Sequence, residues 1–255
     1  AESRAVVIAN DVYDGLPAVP GGDPAPAVAA FKANGFRVVE GYDLPSGEIR
    51  RALSDLLRAD AQPGPRIVTL IGRFAHSASE SWFLGRDAGT ETLTGVDARG
   101  LSLSVVMDLM NGGQPHSVLL LGTDDRAFAT GAGLRHSLGN LRVPEGVTVV
   151  VGYSRGISRA AAVLGQPGAT VAQAAAVGPS LRIVGAPQDA LSAPGPAVED
   201  EEAAWQRATA LGTAAAWREY LSKYPAGTHA AAARQHLGGA SPPSPITRPE
   251  DITRP

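Results

Sequence analysis

Short runs of apolar residues recur along the first 185 residues of the chain, and most of them end at a glycine or at a polar turn. The runs are rich in β-branched residues, and apolar and polar positions do not alternate within them. This pattern is typical of strands that are buried on both faces of a sheet. It predicts strands at residues 4–9, 36–40, 66–71, 117–121, 147–151 and 180–184, and a shorter strand or hairpin arm at 81–84.

Segments with helical spacing of their apolar residues lie between these runs. They predict helices at residues 27–34, 46–59, 102–110 and 154–164. In the second of these segments Ile49 and Leu53 share one face, and Ser46 is the expected N-cap. Gly35 is the expected C′ residue of the first. Strands that alternate with helices in this way predict an α/β sandwich with a mostly parallel sheet.

The composition changes after about residue 187, and it divides the chain into four parts. Residues 1–187 carry the strand and helix pattern, and residues 188–198 form a linker rich in alanine, proline and serine. Residues 199–238 have helical spacing, with large apolar residues that include Trp205, Trp217 and Tyr220. The Pro-rich segment 239–255 is predicted to be disordered. We therefore expect one α/β domain, a linker, a small helical segment and a flexible tail.

Composition and charge exclude several classes of function. The chain of 255 residues is 44% hydrophobic, has a net charge of −3 and has no run of basic residues, so no nucleic-acid partner is expected. No apolar run reaches the roughly 18 residues that span a bilayer. The absence of cysteine excludes disulfides, thiolate metal sites and thiol catalysis. We expect no cofactor and no metal, and no pattern indicates an oligomeric state.

The two ends of the chain suggest a location. It begins with Ala1 rather than methionine, as a protein does after removal of a signal peptide, and it ends in the Pro-rich segment. We expect a bacterial protein that is periplasmic or secreted.

The order of several blocks resembles the caspase-like domain of bacterial proteins, peptidase family C14. The blocks are an opening strand that ends at Asn10, the segment 34–38 that leads into the second strand, the segment 82–88, and the strand and turn at 117–126. Together they cover about residues 4–185. The resemblance implies a three-layer sandwich with a mostly parallel central sheet.

The same resemblance implies a site at the carboxyl ends of the strands. The family hydrolyses peptide bonds with a cysteine nucleophile and a histidine base, the histidine lying in a Gly-His-Gly turn after the third strand. His76 is the histidine in the corresponding region and is the candidate vestigial base, while Asp124 stands at the position of the cysteine. A carboxylate is a poor nucleophile toward amides. The resemblance therefore predicts an inactive peptidase with a binding, scaffolding or regulatory role, whose crevice is lined by His76, Ser77, Asp124 and Asp125 and binds a protein or peptide.

Two alternatives remain open from the residues themselves. Ser154 lies in the sequence Gly-Tyr-Ser-Arg-Gly between a strand and a helix, which is the pattern of a nucleophile elbow and would make the chain a serine hydrolase. Its acid and histidine would have to come from Asp189, His229 or His236 downstream.

The second alternative is an interaction module that acts through the C-terminal helices. Residues 205–237 resemble a tetratricopeptide-like repeat in the positions of Trp205, Trp217, Tyr224 and Pro225. One such repeat has to pack its apolar face against the main domain, a second chain or a partner.

Overall fold

A computed structural model describes residues 2–57, 64–111, 117–185 and 201–238 of the chain. The chain forms two units, residues 1–195 and 196–255. The predicted linker at 188–198 and the predicted tail at 239–255 lie outside the described residues. The domain boundaries inferred from composition therefore stay a prediction.

The described part of the chain contains ten strands and eight α-helices. The strands are β1 (Arg4–Ala9), β2 (Arg37–Tyr42), β3 (Arg66–Ile71), β4 (Phe74–His76), β5 (Ser81–Leu84), β6 (Gly100–Ser102), β7 (Ser117–Thr123), β8 (Arg135–His136), β9 (Val147–Tyr153) and β10 (Arg182–Val184). The helices are α1 (Ala25–Ala33), α2 (Ser46–Ser54), α3 (Leu103–Met110), α4 (Ser154–Leu164), α5 (Val171–Ala175), α6 (Glu201–Leu211), α7 (Ala214–Lys223) and α8 (Ala230–Gly238).

Six strands form the central sheet, in the order β10-β9-β7-β3-β1-β2. All neighbours pair in parallel except β10, which is antiparallel to β9. In this register Ile71 of β3 lies opposite Gly122 of β7, and Thr123 of β7 lies opposite Tyr153 of β9. The carboxyl ends of the parallel strands therefore meet along one edge of the sheet.

The inner strands β1, β3 and β7 are buried on both faces of the sheet, which explains why they are mostly apolar. Along β7, Val118 and Leu120 pack into one cluster with residues of α1, α4 and α5. The alternate residues Leu119 and Leu121 pack into a second cluster with residues of α2 and α3. Successive strand residues point to opposite faces, so helices on both sides require apolar residues at every position. The predicted fold class, a mixed α/β sandwich with a mostly parallel sheet, is confirmed.

A small antiparallel sheet was only partly predicted from the sequence. Its strand order is β6-β5-β4-β8, and only β5 was expected. Phe74 of β4 and Phe83 of β5 join it to the core, with their ring centroids 5.3 Å apart. The other three strands have two or three residues each, too few to show a period. This sheet carries His76 at the end of β4.

The expected N-cap of α2 was wrong. Pro45 is the N-cap and Ser46 is the first helical residue. Asp87, from a distant segment, accepts hydrogen bonds from Ser46 N at 2.8 Å and Ser46 Oγ at 3.2 Å, and it also pairs with Arg99. Burial raises the pKa of Asp87, but these hydrogen bonds outweigh it and hold the pKa below its usual value. Tertiary structure thus supplies the carboxylate that caps this helix.

The three C-terminal helices form a small core of their own. Trp217 and Tyr220 of α7 are buried, and Trp205 of α6 packs against them with centroid distances of 5.1 and 5.6 Å. Two histidines stack on the tryptophans, His229 on Trp205 at 4.6 Å and His236 on Trp217 at 4.5 Å. The apolar residues at helical spacing therefore pack against one another. Across the residues described in both units, we find no helix with the length and apolar character needed to cross a membrane.

We predict that this helical unit unfolds in acid through Glu201. Its carboxylate accepts hydrogen bonds from Tyr220 Oη at 2.7 Å and from His229 N at 3.1 Å, and the Tyr220 bond lowers its pKa. A lowered pKa contributes stability above the pKa of an unfolded glutamate, about 4.3, and that stability is lost as the pH falls through the folded value. The substitution Glu201→Gln should therefore destabilise the helices at neutral pH and weaken their pH dependence below about pH 4.

The measurement is a pH titration by NMR of the tryptophan indole signals, which distinguishes Trp205 and Trp217 from Trp82 of the other unit. Glu145→Gln, at an exposed carboxylate of the α/β unit, is the control and should leave the acid midpoint of the helices unchanged. Equal acid midpoints for Glu201→Gln and the wild type would contradict the prediction.

Candidate functional site

The carboxyl ends of β3 and β7 bring two oppositely charged side chains together. The pairing of the two strands continues for one more residue, since Gly72 N donates to Gly122 O at 2.9 Å. Arg73 and Asp124 follow directly at the next positions of the two segments. Carboxyl ends of parallel strands are where α/β folds place their ligands. At the carboxyl ends of β3 and β7, this chain has an ion pair between Arg73 and Asp124.

The Arg73 side chain is buried, with 1% of its area exposed, and each of its donors has a partner. Nη1 donates to Asp124 Oδ1 and to Arg126 O at 3.3 Å. Nη2 donates to Asp124 Oδ2 at 3.2 Å and to Ala18 O at 2.6 Å, and Nε donates to Pro17 O at 3.0 Å. These bonds account for all five N–H groups of a guanidinium. Arg73 therefore holds two loops and the end of β7 in one arrangement.

Asp124 is committed to this arrangement through both carboxylate oxygens. Each oxygen accepts from Arg73, and Oδ1 also accepts from Arg126 N at 3.0 Å. A bidentate arginine–carboxylate pair of this kind is strong and directional. The carboxylate is therefore engaged in holding the loop through three hydrogen bonds.

Tyr13 completes the surroundings of Arg73. Its hydroxyl accepts from Arg73 N at 2.7 Å and donates to Leu84 O at 3.3 Å. Burial raises the pKa of Tyr13, so the phenol stays protonated. The Phe128 ring lies 5.8 Å from Arg73 Cζ, within the range of a cation–π contact. The arginine is thus enclosed by polar and aromatic groups.

His76 lies at the end of β4 in the small sheet. The side chain that pairs with Asp124 is that of Arg73. Ser137 O can only accept a hydrogen bond, so His76 Nδ1 donates to it, at 2.9 Å. His76 and Ser77 line a cavity of about 760 Å³. Asp124 and Asp125 line a second cavity of about 370 Å³.

The two cavities share Leu138 and Arg182 in their walls. The four crevice residues expected from the sequence are therefore distributed in pairs over two cavities with common walls. Their role in binding stays a prediction.

Tyr153 and Asp125 form a pair at the ends of β7 and β9. Tyr153 Oη donates to Asp125 Oδ2, and this hydrogen bond raises the pKa of Tyr153. The Tyr153 side chain is 45% exposed and lines the smaller cavity. It is a protonated hydroxyl at the mouth of the site, suited to contact with a ligand.

Ser154, the alternative nucleophile, is the first residue of α4 and is only 4% exposed. Its hydroxyl donates to Pro20 O at 3.1 Å. Within the described ranges no hydrogen bond joins Ser154 Oγ to a histidine. His229 and His236 stack on tryptophans in the helical unit, and Asp189 lies outside the described residues. This placement gives Ser154 a structural hydrogen bond and does not favour a nucleophile.

Sequence reasoning missed Arg73. Arg73 comes two residues after the end of an apolar strand, and in the register of the sheet it is opposite Asp124. This signal can be used only when β3 and β7 are known to be neighbours. Among the residues that the structure describes, no group of three or more histidine, aspartate or glutamate side chains is placed to hold a metal ion.

Comparisons with known proteins bear on the fold alone. No family model matches the chain, and no curated protein matches it. Among solved structures 139 chains match, and one of them is the structure of pro-sf-caspase-1. That neighbour is 13% identical over 60% of this chain, with a TM-score of 0.38, and the match spans 61% of the neighbour's length. Because this similarity is low, the fold class rests on the sheet itself, and the assignments to peptidase family C14 and to tetratricopeptide-like repeats stay predictions.

We predict that Asp124 and Asp125, although adjacent, differ sharply in their effect on stability. Asp124→Asn removes the charge that compensates the buried Arg73 and should cost about 3 kcal/mol. Asp125→Asn changes an exposed carboxylate and should stay within about 0.5 kcal/mol. Urea denaturation followed by circular dichroism gives both values, and similar costs for the two variants would show that Arg73 does not depend on Asp124.

A fluorophosphonate probe should not label Ser154. The hydroxyl is buried and donates to a backbone carbonyl, and none of the described residues is hydrogen-bonded to it as a base. Intact-protein mass spectrometry of the folded chain should find no added mass, with a known serine hydrolase as the positive control. Labelling that is lost in Ser154→Ala would restore the hydrolase hypothesis.

Proposed function

We propose that this chain is a non-catalytic caspase-like domain that binds a protein or peptide in the crevice at its strand ends and does not cleave it. The observation that supports this most directly is the buried Arg73–Asp124 pair. It occupies the ends of the neighbouring strands β3 and β7, and its Asp124 stands where the family resemblance places the cysteine. An ion pair at these positions performs no acyl transfer, which needs a nucleophile and a base.

The pair also makes a cysteine nucleophile at position 124 unfavourable. A thiol in place of Asp124 would leave the Arg73 guanidinium buried without its counter-charge. Breaking a buried ion pair by removing one partner costs several kcal/mol, so the two residues stabilise the fold only together. A cysteine at position 124 would therefore destabilise the strand ends unless Arg73 changed as well.

The two cavities beside the pair support a binding role. Their volumes, about 760 and 370 Å³, are within or close to the range of ligand sites, and Leu138 and Arg182 line both. Their walls offer hydroxyl, amide and guanidinium groups next to an apolar residue. Such a lining suits a ligand that has both a polar backbone and apolar side chains.

The strand β8 supports a peptide as that ligand. It pairs with β4 on one side only and forms the edge of the small sheet. Its two residues are exposed, and both line the cavities, Arg135 the larger and His136 the smaller. An exposed strand edge presents N–H and C=O groups to which an extended peptide adds as a further strand.

We predict that the folded chain retains peptides without cleaving them. A positional-scanning array of fluorescent peptides measures binding, and mass spectrometry of the recovered peptides measures cleavage. Leu138→Trp fills the wall common to both cavities and should reduce binding by about tenfold or more.

Val105→Trp is the matched control, since Val105 lines a separate cavity between α2 and α3 and should bind as the wild type does. Three results would contradict the proposal: cleavage that is lost in His76→Ala, binding that Leu138→Trp leaves unchanged, or no peptide binding at all. Binding that disappears on deletion of residues 199–255, while the α/β unit stays folded, would assign the role to the helical segment instead.

A further inference from the structure

A further cavity lies away from the crevice, between α2 and α3, and has a volume of about 450 Å³. Residues of β6, one edge strand of the small sheet, line it, whereas β8 at the opposite edge lines the cavities of the crevice. The volume is in the range of cavities that bind small molecules. This α2–α3 cavity is therefore a separate candidate site, of which the proposed function makes no use.

The walls of the α2–α3 cavity are mainly apolar. Four aliphatic side chains line it: Leu53, Leu101, Val105 and Leu109. Leu53 and Leu101 belong to a buried core cluster, and Leu109 packs against that cluster. The cavity thus opens onto the packed core, and a ligand with an apolar body would bury its surface there against walls that the fold holds in place.

Val105 is the apolar residue of this wall that the fold leaves open to solvent. The helix α3 packs into the core through Val106 and Met110, among others, while Val105 stays 46% exposed. Val105 and Leu109 are four residues apart and share one face of α3, next to the face in the core. Burial of this second face by a ligand would remove apolar surface from water, which is favourable.

Two serines of the cavity wall have already used their hydroxyl hydrogens. Ser54 Oγ donates to Arg50 O at 2.8 Å, and Ser102 Oγ donates to Glu80 Oε2 at 2.9 Å. The charged groups of Arg50 and Asp97 are therefore the polar lining groups that a ligand could engage most strongly.

Arg50 and Asp97 lie side by side in the wall. Arg50 Nη2 donates to Asp97 O and, at 2.8 Å, to Gly100 O, which leaves Nε and Nη1 without a partner among the described residues. Asp97 Oδ1 accepts from Trp82 Nε1 at 2.7 Å, and within the described ranges Oδ2 accepts no hydrogen bond. The polar part of the cavity therefore offers donors on one side and an acceptor on the other.

We propose that the α2–α3 cavity binds a small uncharged amphiphile, with an alkyl or aryl body among the aliphatic side chains and an amide or hydroxyl head at Arg50 and Asp97. A head with both an acceptor and a donor satisfies the guanidinium and the carboxylate together. A charged head would be attracted by one of the two groups and repelled by the other, and it would also lose its hydration. This inference goes beyond the proposed function, since the cavity shares no lining residue with the crevice.

The test is a titration of the full chain with octanamide. Octanoate and octylamine carry a similar chain with a charged head, and acetamide carries the head without the chain. The reporter is the NMR signal of the Trp82 indole N–H, because this group donates to Asp97. Octanamide should shift this signal saturably and leave the indole signals of Trp205 and Trp217 unchanged. The charged analogues should bind about tenfold more weakly, and acetamide should not bind.

Substitutions at Val105 locate the site. Val105→Trp fills the cavity and should weaken octanamide binding about tenfold or more. Val105→Thr keeps the shape of the side chain but places a hydroxyl in the apolar wall, and should weaken binding about threefold. Val12→Trp is the matched control, since Val12 is a valine of similar exposure, 50%, that lines neither the crevice nor the α2–α3 cavity, and it should bind as the wild type does.

The outcomes separate this inference from the proposed function. Absence of a saturable shift with octanamide would overturn the inference, and so would charged analogues that bind as tightly as octanamide. Equal binding by Val105→Trp and Val12→Trp would overturn it as well. None of these results changes the proposed peptide binding, which uses the other cavities. Octanamide binding that persists in Leu138→Trp would support two independent sites.

Discussion

The guanidinium of Arg73 is the group on which the strand ends of this molecule depend. A buried cation is stable only when its charge is paired and its donors are satisfied, and Arg73 meets both conditions through Asp124 and three backbone carbonyls. Those carbonyls belong to the loop after β1 and the loop after β7. The positions of both loops, and with them the shape of the crevice, therefore follow from the requirement to satisfy one side chain.

The same constraint makes the strand ends a structural part of the molecule. The sheet places the residues that follow β3 and β7 side by side whatever their identity. An arginine and an aspartate at these positions form a buried ion pair that holds the two segments together. The two cavities next to this ion pair are lined, among other residues, by Arg135, Arg182 and the Tyr153–Asp125 pair.

The helical unit follows a different principle of stability. Its core consists of a few aromatic residues, and its helices are short. Stacking of His229 and His236 on the two tryptophans, and the bonds of Glu201 to Tyr220 and to the backbone of His229, join α6, α7 and α8. In so small a unit, single hydrogen bonds and ring contacts carry a larger share of the stability than they do in the α/β sandwich.

The sequence by itself determined the fold class, most strand and helix positions, and the absence of thiol chemistry. Strands buried on both faces need continuous apolar runs, and helix faces need a 3.6-residue spacing, so both leave a local record. The tertiary structure decided the rest. Arg73 and Asp124 are 51 positions apart, Ser154 and Pro20 are 134 apart, and Ser46 is capped from 41 positions away. No local pattern contains these partners, because strand order and register determine which segments become neighbours. The role of a side chain then depends on the groups that it contacts in the folded chain.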